Sequence, residues 1–136
     1  MSSIPNHQKI IAIDFDGTIV KDEYPKIGPP QLFAFETMKK MQQNGYRLIL
    51  WTLRETKKLE EAVEFCKNNG VEFYAVNKNY PEEKVTDDTI RKLHADIFID
   101  DRNIGGFIGW GKIHQIFFID EAMEVPKKKG FLGLFK

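Results

Sequence analysis

Residues 9–18 read KIIAIDFDGT, and this stretch decides the fold because an apolar run rich in β-branched residues stops at two carboxylates. A buried parallel strand has this pattern where its carboxyl end reaches the edge of the sheet. The run therefore predicts a central strand that brings Asp14 and Asp16 to that edge. Two like charges this close repel each other unless a cation or a shared proton offsets the repulsion. Taken alone, the four residues DFDG would also suit a turn with solvated carboxylates.

Three later segments repeat the pattern of an apolar run that ends at a polar residue or a turn. They are residues 47–52 (RLILWT), 73–76 (FYAV) and 97–100 (IFID), and a fifth strand is predicted at residues 115–119 (QIFFI). Helices are predicted between them, at residues 31–44, 59–69 and 86–94. The first of these helices has apolar residues at helical spacing: Leu32, Phe35, Met38 and Met41.

The alternation of strands and helices with short connections predicts right-handed βαβ crossovers and an α/β fold with a central parallel sheet. Helices on both faces of that sheet would make three layers. With 136 residues, the chain is long enough for one hydrophobic core, so we expect a single domain at residues 1–126. Residues 127–136 join a basic run to an apolar one, and this tail is expected either to be disordered or packed on the chain itself, or to contact a partner or an anionic membrane.

The charges balance, because 20 Lys and Arg residues face 20 Asp and Glu residues. No basic field is available to collect nucleic acid, so any anion selectivity must be local. The single cysteine, Cys66, excludes an internal disulfide and is expected to be a buried, inert thiol. The N-terminal residues lack a secretory pattern and no segment reaches transmembrane length, so a cytoplasmic location is expected. His94 and His114 have no evident metal partners and are expected to be structural.

Polar residues end other predicted strands as well, with Thr52 after the second strand and Asp100 and Asp101 after the fourth. The carboxyl ends of parallel strands meet at one edge of a sheet, so these residues are expected to converge on Asp14. A carboxylate can take up a phosphoryl group covalently if a metal ion and a cation neutralise the transferring oxygens. Asp14, Mg²⁺ and Lys92 would meet that need.

These residues, in this order, resemble the haloacid dehalogenase-like (HAD) phosphohydrolase superfamily. Its fold is a Rossmann-like parallel sheet, and its signature is a strand that ends in Asp-x-Asp-Gly-Thr. A Ser or Thr ends the next strand of the family, and an acidic pair follows a later one. The residues that match, in the order of those motifs, are Asp14, Asp16, Gly17 and Thr18, then Thr52, then Asp100 and Asp101.

The resemblance implies a role for each matched residue. Asp14 would be the nucleophile and a Mg²⁺ ligand, and Asp16 would be the general acid and base, with its backbone carbonyl on the metal. Thr52 would donate a hydrogen bond to a phosphate oxygen. Asp100 would bind Mg²⁺ directly, while Asp101 would support the water shell of the metal.

The family also uses a Lys or Arg that screens the phosphate from the nucleophile, at a variable distance from the acidic pair. Lys92 is the predicted residue, because it precedes residues 95–101 (ADIFIDD), which resemble the Ala-Asp-aromatic-Ile-Asp-Asp run that follows a Lys in small members of the family without a cap domain. Lys84 and Lys78 are its rivals. Lys92 would bind phosphate together with Thr52 and with the backbone at Gly17, where the chain can approach a ligand closely.

The intervals between the motifs are too short for a separate cap domain, which usually selects the substrate in this family. Specificity would then depend on loops at residues 21–30 and 77–83, on a neighbouring subunit of a homo-oligomer, or on a large substrate that covers the site. The expected partner is thus a phosphorylated small molecule or an exposed phosphate on a larger substrate. Arg54 and Arg102 either extend the anion site or are solvated surface residues.

Three other functions also fit parts of the pattern. A receiver domain uses similar residues, but its acidic pair lies on the first strand, which disagrees with the order found here. A catalytically silent module that binds phosphorylated partners would keep the same pocket. A nucleic-acid end phosphatase would share the chemistry, although the neutral charge and the absence of a basic stripe with interleaved aromatic residues argue against it.

Overall fold

The computed structural model describes residues 9–84 and 94–118. Apolar runs rich in β-branched residues form the strands of the central sheet, and the amphipathic segments between them form helices. In chain order the elements are β1 (Ile10–Ile13), β2 (Val20–Glu23), β3 (Lys26–Pro30), α1 (Ala34–Gln43), β4 (Arg47–Leu50), α2 (Thr56–Asn68), β5 (Ala75–Val76), β6 (Ile97–Ile99) and α3 (Trp110–Phe117).

Four strands form a parallel sheet in the order β5-β4-β1-β6. Strand β1 is central, and Ile11 pairs with Leu48 on one side and with Ile97 on the other. The predicted α/β class with a central parallel sheet is confirmed, and the strand order is that of a Rossmann-like fold. Each predicted strand starts or ends within a few residues of the observed one, apart from the segment at residues 115–119.

The main core lies on the face of the sheet where the three described helices pack. Alternate residues of β1 and β4 point into it and contact the buried faces of α1 and α2, including Met38 and Cys66. A smaller cluster of Ala12, Ile49 and Ala75 is buried on the opposite face. Burial raises the pKa of the Cys66 thiol to about 12, which agrees with the expected inert cysteine.

The segment expected to be a loop at residues 21–30 is instead a β-hairpin, in which β2 and β3 pair antiparallel as a separate two-stranded sheet. Gly28 lies against the backbone of Lys21, where a Cβ atom would clash with the carbonyl oxygen. This close approach explains a glycine within the hairpin. Two prolines at the end of β3 had favoured a loop, but prolines are tolerated in a two-stranded hairpin of this kind.

The predicted fifth strand at residues 115–119 is wrong, because α3 continues to Phe117. Trp110, Ile113, His114 and Phe117 are buried along one side of this helix, at the spacing of an amphipathic helix. The short apolar run at the end of the helix had resembled a strand. Leu32, expected on the buried face of the first helix, precedes α1 and is 70% exposed.

Several predictions fall outside the described residues. The helix at residues 86–94 lies there except for His94, as do Lys92 and the tail at residues 127–136. The third layer of the predicted fold and the domain limits at residues 1–126 therefore stay predictions. No helix in the described part of the chain has the length and hydrophobicity needed to cross a membrane.

Candidate functional site

The strand order creates a crevice at the carboxyl ends of β1 and β6. From β1 the chain moves outward through β4 to β5 and then returns to the other side of β1 to form β6. Ligands of open parallel sheets bind where the strand order reverses in this way. Asp14 follows β1 and Asp100 follows β6 at this position, and the backbone N–H of Asp14 donates to the carbonyl of Ile99 at 3.0 Å.

The turn after β1 is fixed from two sides. The hydroxyl of Thr18, which is fully buried, donates to Oδ2 of Asp14 at 3.3 Å. The carbonyl oxygen of Thr18 accepts a hydrogen bond of 2.8 Å from the indole Nε1 of Trp110, at the start of α3. Trp110, the first residue of α3, thus holds the turn that carries Asp14, the predicted nucleophile.

The carboxyl group of Asp14 is half-buried and lies close enough to that of Asp101 for the two to interact electrostatically. Burial, together with the negative charge of Asp101, raises the pKa of Asp14 from 3.8 to about 7, although hydrogen bonds from Phe15 and Thr18 oppose the rise. Gly17 has a φ of +87°, and a Cβ atom there would clash with Oδ2 of Asp101. The glycine therefore lets the two acidic strand ends approach each other.

Asp16 binds Arg54. The guanidinium Nε and Nη2 atoms donate to its two carboxylate oxygens at 2.7 and 2.8 Å. Arg54 is only 1% exposed, so the predicted alternative of a solvated surface arginine is wrong. Arg54 also borders the cleft, and the alternative that it extends the anion site stays a prediction. Asp16 keeps 17% of its side chain exposed and lines the cleft.

Thr52, which follows β4, is held by two hydrogen bonds. Its backbone N–H donates to Oδ1 of Asn77 at 2.8 Å, and its hydroxyl oxygen accepts from the backbone N–H of Arg54 at 3.1 Å. Since the hydroxyl accepts from the protein, its own proton is available to a ligand. Asn77 follows β5 in the left-handed region with a φ of 56°, which asparagine adopts more readily than most residues.

Asp100, Asp101 and Arg102 form the loop after β6. The carboxylate of Asp100 accepts the backbone N–H of Arg102 at 3.0 Å, and its carbonyl accepts from the Asn103 side chain at 3.0 Å. Asp100 therefore shapes its own loop, while Asp101 makes the contact with Asp14. Arg102 is exposed at the edge of the cleft.

One cleft has a volume of about 510 Å³, which is within the usual range for sites of small ligands. The strand-end residues that line it are Asp14, Asp16, Thr52, Arg54, Asp100, Asp101 and Arg102. The hairpin contributes Asp22 and Tyr24 to its wall. The segment after β4 contributes Trp51 and Leu53, of which Leu53 is 84% exposed. The cleft thus has an acidic floor and a partly apolar rim.

The oxygen atoms at the floor suit a hard cation such as Mg²⁺. Within residues 9–84 and 94–118, no three His, Cys, Asp or Glu side chains are grouped closely enough to enclose a metal ion. Mg²⁺, however, is usually bound by one or two carboxylates and completes its shell with water and substrate oxygens. The neighbouring carboxyl groups of Asp14 and Asp101 would be two candidate ligands of this kind, whereas the side chain of Asp16 is bound to Arg54.

The cleft therefore contains five of the predicted site residues, namely Asp14, Asp16, Thr52, Asp100 and Asp101. Gly17 lies beside it, against Asp101. Lys92 is outside the described residues, and its rivals Lys78 and Lys84 do not line the cleft.

Three residues that support the site were not predicted in that role: Arg54, Asn77 and Trp110. Arg54 lies just beyond the Thr52 motif, but nothing in the sequence shows that its partner is Asp16. Asn77 follows a predicted strand at the same sheet edge, and this position was a usable signal. Trp110 reaches Thr18 across 92 residues of sequence, a contact that follows from the tertiary fold alone.

Comparison with known proteins gives a family for the chain but no activity. Neither a protein-family model nor a curated protein matches it. The solved structure of a conserved protein from Bacteroides thetaiotaomicron is 49% identical in sequence and superimposes with a TM-score of 0.75. The match covers 93% of this chain and 98% of the Bacteroides chain. The chain therefore belongs to the same family as this conserved Bacteroides protein.

Proposed function

We propose that the protein is a Mg²⁺-dependent phosphomonoester hydrolase of the HAD-like superfamily that forms an aspartyl-phosphate on Asp14. The observation that carries the proposal is the arrangement of the cleft. Side chains that follow three different parallel strands line it together, although they are far apart in the sequence: Asp14, Asp16, Thr52, Asp100 and Asp101. Their order along the chain also agrees with the motif order of that superfamily.

In the first step, an Oδ atom of Asp14 attacks the phosphorus atom of the substrate. The bond between phosphorus and the ester oxygen breaks, and the leaving oxygen takes a proton from Asp16, which lines the same cleft. The hydroxyl of Thr52 donates to a non-bridging phosphate oxygen, for which its proton is available. The phosphoryl group is then attached to Asp14 as an acyl phosphate.

In the second step, Asp16 accepts a proton from a water molecule as the water attacks the phosphorus atom. The acyl phosphate bond breaks, Asp14 is restored as a carboxylate, and inorganic phosphate leaves. Asp16 regains in this step the proton that it gave in the first, so the cycle is balanced. Its 17% exposure to the cleft is what lets a water molecule or a leaving group reach it.

The carboxylates of Asp14 and Asp101, with Asp100 and the backbone carbonyl of Asp16, are the groups proposed to hold Mg²⁺. The bound cation would neutralise phosphate charge and allow Asp14 to be ionised beside Asp101. Arg102 at the cleft edge supports the proposal as an exposed cation that attracts phosphate. Lys92, assigned from the sequence resemblance alone, is proposed as the cation that neutralises the transferring phosphoryl group.

The proposed substrate is a phosphorylated small molecule or an exposed phosphate on a larger one. The cleft volume of about 510 Å³ accommodates a small metabolite. Among the described elements, the β2–β3 hairpin borders the cleft at the position where we propose that it takes the role of a cap domain. Tyr24 on that hairpin and Trp51 after β4 give the rim flat apolar surfaces. A planar group next to the phosphate would suit them.

A steady-state assay with an aryl phosphate tests the proposal. The wild-type protein should release phosphate only when Mg²⁺ is added, and Asp14→Asn should lower turnover by at least about 10³-fold, as expected for loss of a nucleophile. Asp96→Asn is the matched control, because Asp96 bonds to Ile10 at the opposite end of the sheet. It should keep the wild-type rate.

Full turnover in Asp14→Asn would overturn the assignment of the nucleophile. If the wild-type protein binds inorganic phosphate but hydrolyses neither aryl nor alkyl phosphates, the phosphatase proposal is wrong. The silent phosphate-binding module would then be the better description of the same cleft.

A further inference from the structure

Arg54 is the most completely enclosed charged residue of the described chain. It is 1% exposed, and it lies between the end of β4 and the start of α2. A buried cation is costly unless each of its donors has a partner. The partners of Arg54 therefore indicate why the chain keeps an arginine at this position.

All five N–H groups of the Arg54 guanidinium are used inside the protein. Nε and one N–H of Nη2 bind the two oxygens of Asp16, and the other N–H of Nη2 donates to the carbonyl of Lys26 at 2.9 Å. Nη1 donates to the carbonyls of Pro25 at 3.3 Å and of Lys58 at 3.5 Å. In this arrangement no N–H group is left for a substrate phosphate, so we expect Arg54 to act through its protein partners and not as a direct anion ligand.

Aromatic rings complete the enclosure of the guanidinium. Its Cζ atom lies 5.1 Å from the ring centre of Phe15 and 5.0 Å from that of Tyr24. Phe15 separates the two motif carboxylates in the sequence, and Tyr24 is at the hairpin tip. Arg54 thus connects the first motif, the hairpin and the start of α2 through contacts that a flexible lysine could not reproduce.

This geometry fixes the carboxyl group of Asp16. Two parallel N–H donors define the plane of a carboxylate as well as its position. Each oxygen of Asp16 accepts one of these bonds and keeps a further lone pair, and the side chain borders the cleft. The remaining lone pairs are the ones with which Asp16 can meet a leaving oxygen or a water molecule.

We infer that Arg54 is a positioning residue, which holds the Asp16 carboxyl group in its working orientation and is itself held by the backbone of the β2–β3 hairpin. The inference rests on the proposed hydrolase function. The hairpin then has a role beyond bordering the cleft, because its carbonyls at Pro25 and Lys26 set the position from which Asp16 acts. A displacement of the hairpin would be passed on to Asp16 through one side chain.

A double-mutant cycle separates this role from a merely structural one. Turnover of an alkyl phosphate with Mg²⁺ is measured for the wild type, Arg54→Gln, Asp16→Asn and the double variant. Arg54→Gln should lower kcat by about 10- to 100-fold with little change in KM, since the N–H groups of Arg54 are all occupied within the protein. In the Asp16→Asn background the same substitution should change kcat by less than about threefold, because the two residues act as one unit.

Arg54→Lys and Arg47→Gln complete the design. Arg54→Lys keeps a cation but cannot form the two parallel bonds, so it should also be slow, and it serves if Arg54→Gln does not fold. Arg47 lies at the other end of β4, with its guanidinium 4.5 Å from the ring centre of Tyr74, so Arg47→Gln should keep wild-type kcat. An equal loss of kcat from Arg54→Gln in the wild-type and Asp16→Asn backgrounds would overturn the inference.

Amide hydrogen exchange gives a readout that does not need turnover. Arg54→Gln and Arg54→Lys should speed exchange of the hairpin amides, and Arg47→Gln should not. A wild-type protein without phosphatase activity would refute the proposed function, whereas unchanged hairpin exchange in both Arg54 variants would refute the link between Arg54 and the hairpin. The two failures are therefore distinguishable.

Discussion

Asp14 is subject to opposing requirements within the cleft. In the proposed reaction its carboxyl group must be ionised to attack phosphorus, yet burial and the neighbouring charge of Asp101 raise its pKa to about 7. The hydrogen bonds from Phe15 and Thr18 favour the charged form and only partly offset this effect. Ionised Asp14 therefore lowers the stability of the folded protein, and a bound cation can relieve this unfavourable electrostatic energy. Such competition between stability and activity is common at functional sites.

Asp14→Asn is therefore expected to stabilise the protein at pH 8 in the absence of metal. The pKa of Asp14 is raised in the folded state, from 3.8 to about 7, so the wild-type protein loses stability as the pH rises through this interval. The advantage of the variant should grow between those pH values and stay constant above pH 7. We expect a gain on the order of 2 kcal/mol, allowing for solvent screening in an open cleft.

Urea unfolding of both proteins at several pH values measures this difference in the free energy of unfolding. An advantage of Asp14→Asn that is as large at pH 4 as at pH 8 would contradict the electrostatic explanation. A loss of stability in the variant at pH 8 would mean that the hydrogen bonds of Asp14 outweigh its desolvation.

The sequence was sufficient to predict those cleft residues that lie in the cleft because they follow the end of a strand. Asp14, Thr52 and Asp101 each follow an apolar run, and a parallel sheet brings such ends together. Arg54 was not predictable in this way. Its role depends on backbone carbonyls of the hairpin, and a carbonyl oxygen has no signature in the sequence.

Among the elements, the turn after β1 is under two steric constraints at one residue. Gly17 combines a positive φ with a direct approach to the side chain of Asp101. Gly45, which ends α1, has a similar φ of +92°, but a Cβ atom there would meet nothing within 4 Å. A comparison of alanine substitutions at these two glycines therefore separates the free-energy cost of backbone strain from the cost of displacing the Asp101 side chain.

Gly17→Ala is expected to destabilise the protein more than Gly45→Ala and to lower phosphatase turnover. Both variants should lose about 1 kcal/mol to the left-handed conformation. Only Gly17→Ala must also move the Asp101 carboxylate away from Asp14. Thermal unfolding and aryl phosphate turnover of the two variants test this, and equal turnover losses would contradict the proposed place of Asp101 in the site.

Element types were predictable where the hydrophobic period was long and failed where it was short. Helices α1 and α2 show several turns of apolar spacing, and each is followed by a glycine at a positive φ, Gly45 or Gly70. The run QIFFI has too few residues to distinguish a strand from the end of a helix. Trp110 and Ile113, upstream of that run, complete the helical period of α3.

The fold as a whole explains why the cleft lies where it does. The order β5-β4-β1-β6 reverses beside β1, and the residues after β1, β4 and β6 are the ones that line the cleft. These residues supply the charged floor, while the hairpin and the segment after β4 supply the rim. The residues of the floor can be predicted from the strand pattern of the sequence. The residues of the rim cannot, because they depend on how the hairpin packs. For this reason the proposed chemistry is better defined than the identity of the substrate.

Covalent capture of the phosphoryl group on Asp14 tests the proposed reaction at its decisive step. The wild-type protein is mixed with Mg²⁺ and an aryl phosphate, quenched with acid within one turnover, digested, and analysed by mass spectrometry. We predict that the peptide containing Asp14 gains the mass of one phosphoryl group, and that Asp14→Asn shows no such gain. A phosphoryl group on a different residue, or rapid turnover with no phosphorylated peptide at any time, would contradict the account.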